Sequence, residues 1–530
     1  MPLTVESPHT YQYKHINVGT SLQPGEDAPI YVEGKTFRMP EEREIRLQRL
    51  HALREQNINP YPNSVERTHT IQEALEHFDE FASEAKDITL VGRVRLLREM
   101  GKAAFAKIED GTTSIQVYFR VNDVGQESYR ALKLLDLGDF VEASGFLFVT
   151  RTGERTLHVK RWRMISKGLL PLPEKYHGLE DKEMRQRKRY LDLIANGDEV
   201  KRVFETRSRV ISAMRRFLES QGYLEFETPM LQPLYGGATA RPFTTHHNTL
   251  DRNLYLRIAT ELYLKRLIVG GFERVYEIGR NFRNEGIDRS HNPEFTVMEC
   301  YQAYADYEDM MKLVEEMVAF IAREVKGTTV ITYQGTEIDL APPWRRIPLL
   351  EAIHIYTGID VNAYPDRDSL ATAMRAQGYE ADPKYGRGRL IDDLKSEMFR
   401  KGLPELKQAI FLIDYPLDIS PLTKQHREHP ELVERFQPFL GGLESGNAFT
   451  ELNDPLDQRA RFEDQMRQRA QGDDEAQVLD EDFLEALEIG MPPTGGVGIG
   501  VDRLAMLMAD QESIRDVILF PTLRKTAEEE

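Results

Sequence analysis

Cysteine is almost absent from this sequence, since Cys300 is the only one in 530 residues. A single thiol cannot form an intramolecular disulfide, so a disulfide-stabilised secreted scaffold is excluded and a reducing compartment is favoured. The sequence also has no apolar run long enough to cross a bilayer. Its first residues carry neither the basic nor the apolar region of a signal peptide. We therefore expect a cytoplasmic protein.

Positive charge is in the minority. The chain has 87 Asp and Glu against 69 Lys and Arg, a net charge of -18. No overall positive field therefore attracts nucleic acid, and any such contact must come from a local cluster of basic and aromatic residues.

Two common nucleotide-binding loops are also missing. There is no GxxxxGK[ST] motif, and the Gly-rich segment GVGIGVDRLAMLMAD has Val501 where a dinucleotide fingerprint needs its third glycine. That segment instead predicts a buried strand that leads into a helix. A bound nucleotide is therefore not held by a Walker or Rossmann loop.

The length predicts two or more domains. We divide the chain into an N-terminal extension with a helix (1–64), a β-rich domain (65–168), a linker (169–195) and a large α+β domain (196–530). The first forty residues are polar and without periodicity, so we expect them to be mobile. Glu41 to Glu55 has the apolar spacing of a helix.

Residues 88–165 contain short β segments punctuated by Gly and Asp, and five such strands predict a small barrel of the OB type. The segments also carry basic side chains (Arg93, Arg95, Arg98, Lys102, Lys107) and aromatic ones (Phe105, Tyr118, Phe119). Interleaved cations and rings suit a surface for single-stranded nucleic acid. An aromatic residue of a barrel can equally belong to its core, and the pattern alone leaves both interpretations open.

The segment VYEIGRNFRNEGIDRSHNPEFTVMECY (275–301) is the most informative part of the chain. It predicts two strands joined by a charged loop. With a period of two, one face of the first strand carries Val275, Glu277, Gly279, Asn281 and Arg283, and one face of the second carries Phe295, Val297, Glu299 and Tyr301. Such a surface suits an anionic nucleotide beside a cationic small molecule. The alternative is a solvated hairpin with charge pairs.

Three segments stand in a fixed order: a helix and strand ending at Pro229, the FRNEG…HNPEF hairpin, and GVGIGVDR. Together they resemble the three signature motifs of class II aminoacyl-tRNA synthetases. The run from GGATARPFTT to FRNEG, with FTELNDP and IRDVILFP, is similar to the lysyl-tRNA synthetases, and the likeness extends from about Glu41 to Arg524. It implies an α+β protein: an N-terminal five-stranded OB-type barrel and a class II catalytic domain on an antiparallel sheet. It also implies a homodimer, with the helix and strand up to Pro229 forming much of the contact.

The resemblance implies that ATP activates L-lysine to lysyl-adenylate, and that the lysyl group then passes to the 3′ end of tRNA(Lys). The attacking carboxylate is already an anion, so catalysis needs positioning and charge neutralisation rather than a general base. Arg283 would hold the α-phosphate and the substrate carboxylate, and Arg503 the γ-phosphate. Phe295 would stack on adenine, while Glu285 and His291 arrange the base and the phosphates.

The substrate pocket follows from the resemblance as well. An ammonium group is costly to desolvate without a carboxylate partner. Glu299 and Glu451 would meet the ε-ammonium, Glu261 the α-amino group, and Tyr301 would close the pocket. The full lysine-binding set is Gly237, Glu261, Arg283, Glu299, Tyr301, Asn447, Phe449, Glu451 and Gly498. Taken alone, Glu261 could equally be a carboxylate favoured at a helix start.

In the barrel, the resemblance singles out Arg98, Phe105, Gln116 and Glu154 as anticodon readers. Phe105 would stack on the central uridine, and the polar residues would bond to base edges. The expected partner is a tRNA with a UUU or CUU anticodon. From the residues alone, Gln116 could be an ordinary exposed strand residue.

The sequence departs from the family pattern near the expected metal. Glu444 should bind ATP and Mg²⁺, but the second carboxylate, usually seven residues earlier, is Gln437 here. An amide oxygen can still coordinate Mg²⁺, although the lost charge should weaken the site. Thr260 stands where the family usually has Pro, and we expect this to alter only the helix start.

Two other functions remain open from sequence alone. A lysine ligase that modifies a protein would share the pocket, but it would not need the complete barrel. A catalytically weakened paralogue that binds RNA would be supported by Gln437 alone.

Overall fold

The computed structural model describes residues 31–32, 35–36, 39–173, 179–383, 385–401, 404–470 and 478–525. Most of the predicted N-terminal extension lies outside these ranges. The described residues form two compact units, which divide after Pro173. That division falls inside the linker predicted for residues 169–195. Among the described residues, none of the helices combines the length and the hydropathy that a membrane span needs.

The first unit consists of a barrel with helices around it. Its strands are β1 (Tyr31–Val32), β2 (Lys35–Thr36), β3 (Ile88–Met100), β4 (Ala103–Glu109), β5 (Ser114–Arg120), β6 (Phe140–Val149) and β7 (Arg155–Ser166). Its helices are α1 (Met39–Glu55), α2 (Ile71–Glu76), α3 (Phe78–Ser83), α4 (Val121–Val124) and α5 (Gln126–Ala131). Strands β3 to β7 close in the order β3-β4-β5-β7-β6, with only β5 and β7 parallel. The predicted five-stranded OB-type barrel is confirmed.

Alternation along the strands decides which aromatic residues are available for stacking. On β5, Ile115, Val117 and Phe119 point into the barrel and are at most 2% exposed. Tyr118 points outward on the same strand and is half-buried. The prediction that Phe119 supplies a stacking surface is therefore wrong, because its ring packs against Trp162 in the core.

The second unit contains the large sheet. Its strands are β8 (Leu224–Glu225), β9 (Leu231–Gln232), β10 (Thr244–His247), β11 (Arg252–Leu256), β12 (Arg274–Phe282), β13 (Glu294–Ala303), β14 (Val330–Tyr333), β15 (Thr336–Asp339), β16 (Arg345–Pro348), β17 (Ile410–Pro416), β18 (Leu432–Leu440), β19 (Leu443–Glu444), β20 (Gly446–Thr450) and β21 (Thr494–Gly500). Its helices are α6 (Lys182–Arg187), α7 (Arg189–Ala195), α8 (Gly197–Ser220), α9 (Glu261–Val269), α10 (Tyr307–Lys326), α11 (Leu349–Thr357), α12 (Arg367–Ala376), α13 (Arg387–Arg400), α14 (Pro455–Ala470), α15 (Glu481–Ile489), α16 (Val501–Ala509) and α17 (Ile514–Val517).

The strands of the large sheet lie in the order β16-β17-β18-β20-β21-β13-β12-β8, with β19 beside β18. The pairs from β17 through to β12 are antiparallel, as predicted. The sheet as a whole is mixed, since β16 pairs with β17 and β8 with β12 in parallel.

One face of this sheet is covered by helices. Met298 and Cys300 of β13 and Val497 and Ile499 of β21 are buried in one cluster with residues of α8, α10 and α16. Because side chains alternate along a strand, the intervening residues of β13 and β21 must lie on the opposite face. That opposite face carries the candidate site.

Candidate active site

Strand pairing places the predicted site residues side by side on the open face of the sheet. Two rows run across β20, β21, β13 and β12. The first row is Phe449, Gly496, Tyr301 and Val275, and the second is Asn447, Gly498, Glu299 and Glu277. The alternation predicted for the hairpin is therefore confirmed, and both of its strands contribute to a single surface.

The glycines of β21 form the floor of this surface. A Cβ atom at Gly496 would lie 2.0 Å from Oε1 of Glu451 and 2.6 Å from Cε1 of Tyr301. One at Gly498 would lie 3.4 Å from Cγ of Glu299. Gly496 therefore cannot become alanine without displacing the side chains above it. Gly496 thus leaves space for the side chains of Tyr301 and Glu451.

Three carboxylates meet above that floor, and we call them the acidic pocket: Glu261, Glu299 and Glu451. Glu261 begins α9, Glu299 lies on β13, and Glu451 follows β20; they are 6%, 7% and 1% exposed. Burial raises the pKa of Glu261 and raises that of Glu451 well above its usual range, because a buried carboxylate is poorly solvated. Burial likewise raises the pKa of Tyr301 well above its usual range, and nearby Glu299 adds to the shift.

Lys265 is a fourth charged member of this pocket, and the sequence patterns did not predict it. It is fully buried, and its Nζ lies 2.5 Å from Oε1 of Glu261 and pairs with Oε2 of Glu451. Burial alone would lower the pKa of Lys265, but Glu261 and Glu451 outweigh it and raise the pKa above its usual value. The sequence does contain one indication that Lys265 is buried, because most of the other residues of α9 are apolar. The i,i+4 spacing from Glu261, however, is also typical of a surface ion pair.

The remaining pocket residues lie around these charges. Gly237 has a φ of 84°, and a Cβ there would lie 3.0 Å from Cβ of Glu261. The ring centroid of Phe449 is 5.6 Å from Nζ of Lys265. Asn447 Oδ1 accepts a hydrogen bond from Arg435 Nε at 2.8 Å. The structure therefore brings the predicted lysine-binding residues together.

The hydrogen bonds of the three carboxylates differ. Glu299 accepts from the Tyr301 hydroxyl at 3.2 Å and from the backbone N–H of Thr260 at 3.3 Å. Proline at position 260 would lack that N–H. The expectation that Thr260 alters only the helix start is therefore wrong, because Thr260 also provides a hydrogen bond to Glu299. Oε1 of Glu451 is buried and has no hydrogen-bond partner among the described residues. Buried polar atoms are nearly always bonded, and Glu451 therefore has acceptor capacity for a ligand.

Two arginines lie on the neighbouring part of the face, within what we call the arginine cluster: Arg283, Glu285, His291, Phe295, Glu444 and Arg503. Burial of the Arg283 guanidinium lowers its pKa, which the carboxylates of Glu285 and Glu299 oppose. It lies over the Phe295 ring, 5.1 Å from the centroid. Arg503 donates to the main-chain oxygen of Glu444 at 2.5 Å and lies 3.4 Å from Nε2 of His291. Arg283 Nε is buried, with no hydrogen-bond partner in the part of the chain that the structure describes.

Two buried ion pairs stabilise the hairpin of β12 and β13, and each of them contacts one of the two strands. Glu277 pairs with Arg257 at 2.5 Å and also accepts from the Thr228 hydroxyl at 2.7 Å. Asp502 pairs with Arg207 at 2.5 Å and accepts from the backbone N–H of Thr296 at 2.6 Å. Glu277 thus has protein partners, although it shares a face with Glu299.

Gln437 and Glu444, the predicted metal-binding positions, lie on β18 and β19. Oε1 of Gln437 accepts from Nζ of Lys395 at 3.0 Å and from the Tyr415 hydroxyl at 2.6 Å. The same Nζ lies 3.7 Å from the carboxylate of Glu444. Within the described ranges, no three His, Cys, Asp or Glu side chains are grouped as a metal site would need.

The predicted anticodon readers share the outside of the barrel. Phe105 pairs across strands with Arg98 and Tyr118, and the Phe105 and Tyr118 ring centroids are 4.8 Å apart. Gln116 Nε2 donates to Oγ1 of Thr156 at 2.9 Å, and that hydroxyl donates to the main-chain oxygen of Glu154 at 3.1 Å. Glu154 itself is exposed between β6 and β7. The barrel therefore presents an aromatic pair flanked by polar groups.

Comparison with known proteins agrees with both units. Residues 181–524 match the tRNA synthetases class II (D, K and N), and residues 88–165 match the OB-fold nucleic acid binding domain of the tRNA anticodon type. The lysine–tRNA ligase of Pelotomaculum thermopropionicum is 53% identical over 93% of this chain and 97% of its own length. Those of Chloroflexus aurantiacus and Roseiflexus castenholzii are 54% and 55% identical over 91% and 90% of this chain, and 98% of each relative is covered. The chain therefore belongs to the class II tRNA synthetases and, within them, to the lysine–tRNA ligase family.

Proposed function

We propose that this chain uses ATP to activate L-lysine in the acidic pocket and transfers the lysyl group to tRNA(Lys). The observation that carries the proposal is a buried group of carboxylates directly beside two arginines. An amino acid with a neutral or acidic side chain would leave those carboxylates unpaired, which is costly in a buried site. Membership of the lysine–tRNA ligase family supports the same substrate.

Counting charges supports L-lysine in particular. When all three carboxylates are ionised, as in the lysine-bound state, the resident ammonium of Lys265 leaves two negative charges for the substrate to compensate. L-lysine brings two ammonium groups, one at the α-carbon and one at the end of its side chain. We assign the ε-ammonium to Glu451 and Glu299 and the α-ammonium to Glu261. Arg283 then meets the substrate carboxylate, and the filled pocket is close to electrically neutral.

The chemical step needs no general base. The lysine carboxylate attacks the α-phosphorus of ATP, and pyrophosphate leaves, so negative charge must be stabilised on the phosphate oxygens. We propose that Arg283 holds the α-phosphate and Arg503 the γ-phosphate, with Phe295 against adenine. Glu285 and His291 would orient the base and the phosphates. Preorganised cations of this kind act by electrostatic stabilisation.

The barrel would supply tRNA selection. The Phe105 and Tyr118 rings offer a stacking platform, while Arg98, Gln116 and Glu154 offer donors and acceptors to base edges. We propose that the anticodon of tRNA(Lys) binds here.

We further propose that the chain works as a cytoplasmic homodimer. Leu224, Met230, Leu231 and Leu234 follow α8 and are between 43% and 53% exposed. Exposed apolar side chains clustered in one segment favour a protein partner.

We also propose that Mg²⁺ accompanies ATP and that the half-exposed Glu444 faces it. Gln437 does not fit as a metal ligand, because its side-chain oxygen already accepts two hydrogen bonds.

Glu451→Gln tests the pocket assignment. The change keeps the shape but removes the charge expected to meet the ε-ammonium. Loss of one partner of a buried charge pair costs about 2–5 kcal/mol, so the KM for L-lysine should rise about 30-fold or more while the KM for ATP changes about threefold or less. ATP–pyrophosphate exchange measures both. Glu485→Gln, on the exposed side of α15, is the matched control. Equal rises in both KM values would contradict the assignment.

The raised pKa of Glu451 predicts that lysine binding releases a proton. Burial favours the protonated carboxyl in the empty pocket, and the incoming ammonium favours the ionised form. Affinity for L-lysine should therefore increase as pH rises through that raised pKa, by up to about tenfold per pH unit for each proton released. Titration calorimetry in buffers of different ionisation enthalpy measures the proton.

The Lys265→Met substitution provides a second test of this proton release. Lys265 lowers the pKa of both Glu261 and Glu451, so its removal should move the pH dependence of lysine binding to higher pH. A wild-type protein that binds L-lysine without proton release, with one affinity from about pH 6 to about pH 8, would contradict the coupling.

Phe105→Ala tests the barrel. Stacking of a base on an aromatic ring contributes about 1–3 kcal/mol, so the KM for tRNA(Lys) in aminoacylation should rise about 5- to 150-fold, with lysine-dependent exchange unchanged. Phe105→Tyr keeps a ring and should retain most of the activity. If wild-type protein exchanged with lysine but did not charge tRNA(Lys), the acceptor assignment would be wrong.

A further inference from the structure

A lysine side chain lies between the two positions where the family's metal ligands are expected. Lys395, on α13, places Nζ 3.0 Å from the amide oxygen of Gln437 and 3.7 Å from the carboxylate of Glu444. Its side chain is only 12% exposed. An ammonium group therefore occupies the space in which a divalent cation would bridge residues 437 and 444.

The amide of Gln437 has no capacity left for a metal. Its oxygen accepts from both Lys395 and the buried Tyr415 hydroxyl, and an amide oxygen has two lone pairs. The orientation of the amide is determined by its neighbour, because an ammonium only donates and must face the oxygen. Gln437 is 3% exposed, so it cannot turn toward solvent.

The position of Lys395 is set by packing. Leu390, Ile391, Leu394 and Met398 of α13 are buried in one cluster with Leu412 of β17 and Phe439 of β18, and the Phe399 ring of α13 stacks on that of Phe439. This shared core holds α13 beside the strands that carry Tyr415 and Gln437. Asp392 lies 3.2 Å from Nζ of Lys395 on the same helix. The ammonium is thus part of the folded framework.

The same ammonium belongs to the charged surface on which ATP is proposed to bind. Glu444 accepts from Arg503 through its main-chain oxygen while its side chain faces Lys395. Glu444 is also among the charges that act on Arg283. Lys395 therefore adds a third positive charge next to Arg283 and Arg503 of the arginine cluster.

The charges at positions 437 and 444 balance without a metal. Two carboxylates that hold one divalent cation are neutral overall, and so are the amide of Gln437, the ammonium of Lys395 and the carboxylate of Glu444. The carboxylate of Asp392, 3.2 Å from the same ammonium, is an additional negative charge in both arrangements. We propose that Lys395 replaces the divalent cation between positions 437 and 444, so that this chain binds one metal ion fewer with ATP than a chain with carboxylates at both positions. The inference rests on the proposed function, since it concerns how the same site neutralises ATP.

Substitutions at Gln437 and Lys395 distinguish a site in which the lysine replaces the metal from a site that binds the metal more weakly. Gln437→Glu alone should place a carboxylate beside Lys395. The two groups should form an ion pair, and the number of bound metal ions should not increase. Lys395→Met together with Gln437→Glu should leave two carboxylates and no ammonium, the arrangement that hard cations prefer. Lys395→Arg keeps the charge and serves as the matched control.

The number of bound Mn²⁺ ions, counted by electron paramagnetic resonance, provides the test. The complex contains L-lysine and the α,β-methylene analogue of ATP, which cannot release pyrophosphate by attack at the α-phosphorus. We expect the double variant to bind one Mn²⁺ more than the wild type, and Gln437→Glu and Lys395→Arg to bind the wild-type number. Equal numbers in the wild type and a double variant that retains lysine-dependent exchange would overturn the inference.

The wild-type protein provides a second measurement that does not depend on any variant folding. Crystals grown with Mn²⁺, L-lysine and the same analogue should show no anomalous peak within bonding distance of Gln437. A peak there would overturn the inference whatever the variants do. Failure of the proposed function is distinguishable, because it would appear as wild-type protein without lysine-dependent ATP–pyrophosphate exchange.

Discussion

The cost of burying carboxylates governs the catalytic half of this molecule. Glu261, Glu299 and Glu451 are each at most 7% exposed, and such groups are tolerated only with opposite charge or hydrogen bonds close by. Lys265 supplies one positive charge from within the protein. The proposed pairing with the two ammonium groups of L-lysine would neutralise the remaining negative charge.

The sheet makes this arrangement possible by separating its two faces. Met298, Cys300, Val497 and Ile499 are packed against helices, while Glu299 and Tyr301 alternate with them on the open side. A slip of one residue in β13 would exchange these sets, so the apolar core and the site specify the register together. Gly496 then makes room for the side chains of Tyr301 and Glu451.

Local patterns in the sequence predicted much of this structure. The five barrel strands fall within residues 88–166, against the predicted span 88–165, and the hairpin face from Val275 to Tyr301 has the expected composition. Features that depend on distant residues were missed. Lys265 and Lys395 look like solvated charges in sequence, because burial is decided by α15 and β18, which lie far along the chain. The parallel edge strands β8 and β16 depend on tertiary packing in the same way. The inward position of Phe119, by contrast, follows from a local pattern, because Ile115, Val117 and Phe119 alternate along β5.

The acidic pocket is proposed to select its substrate by pairing with a terminal ammonium. Comparing ATP–pyrophosphate exchange with L-lysine and with L-norleucine tests this pairing, because norleucine has the same carbon chain without that ammonium. A site built around buried polar groups rejects an analogue that leaves them unpaired by about 10⁴-fold or more in kcat/KM, and this account predicts a ratio of that order. A ratio within about tenfold, the range that ordinary apolar contacts supply, would contradict it.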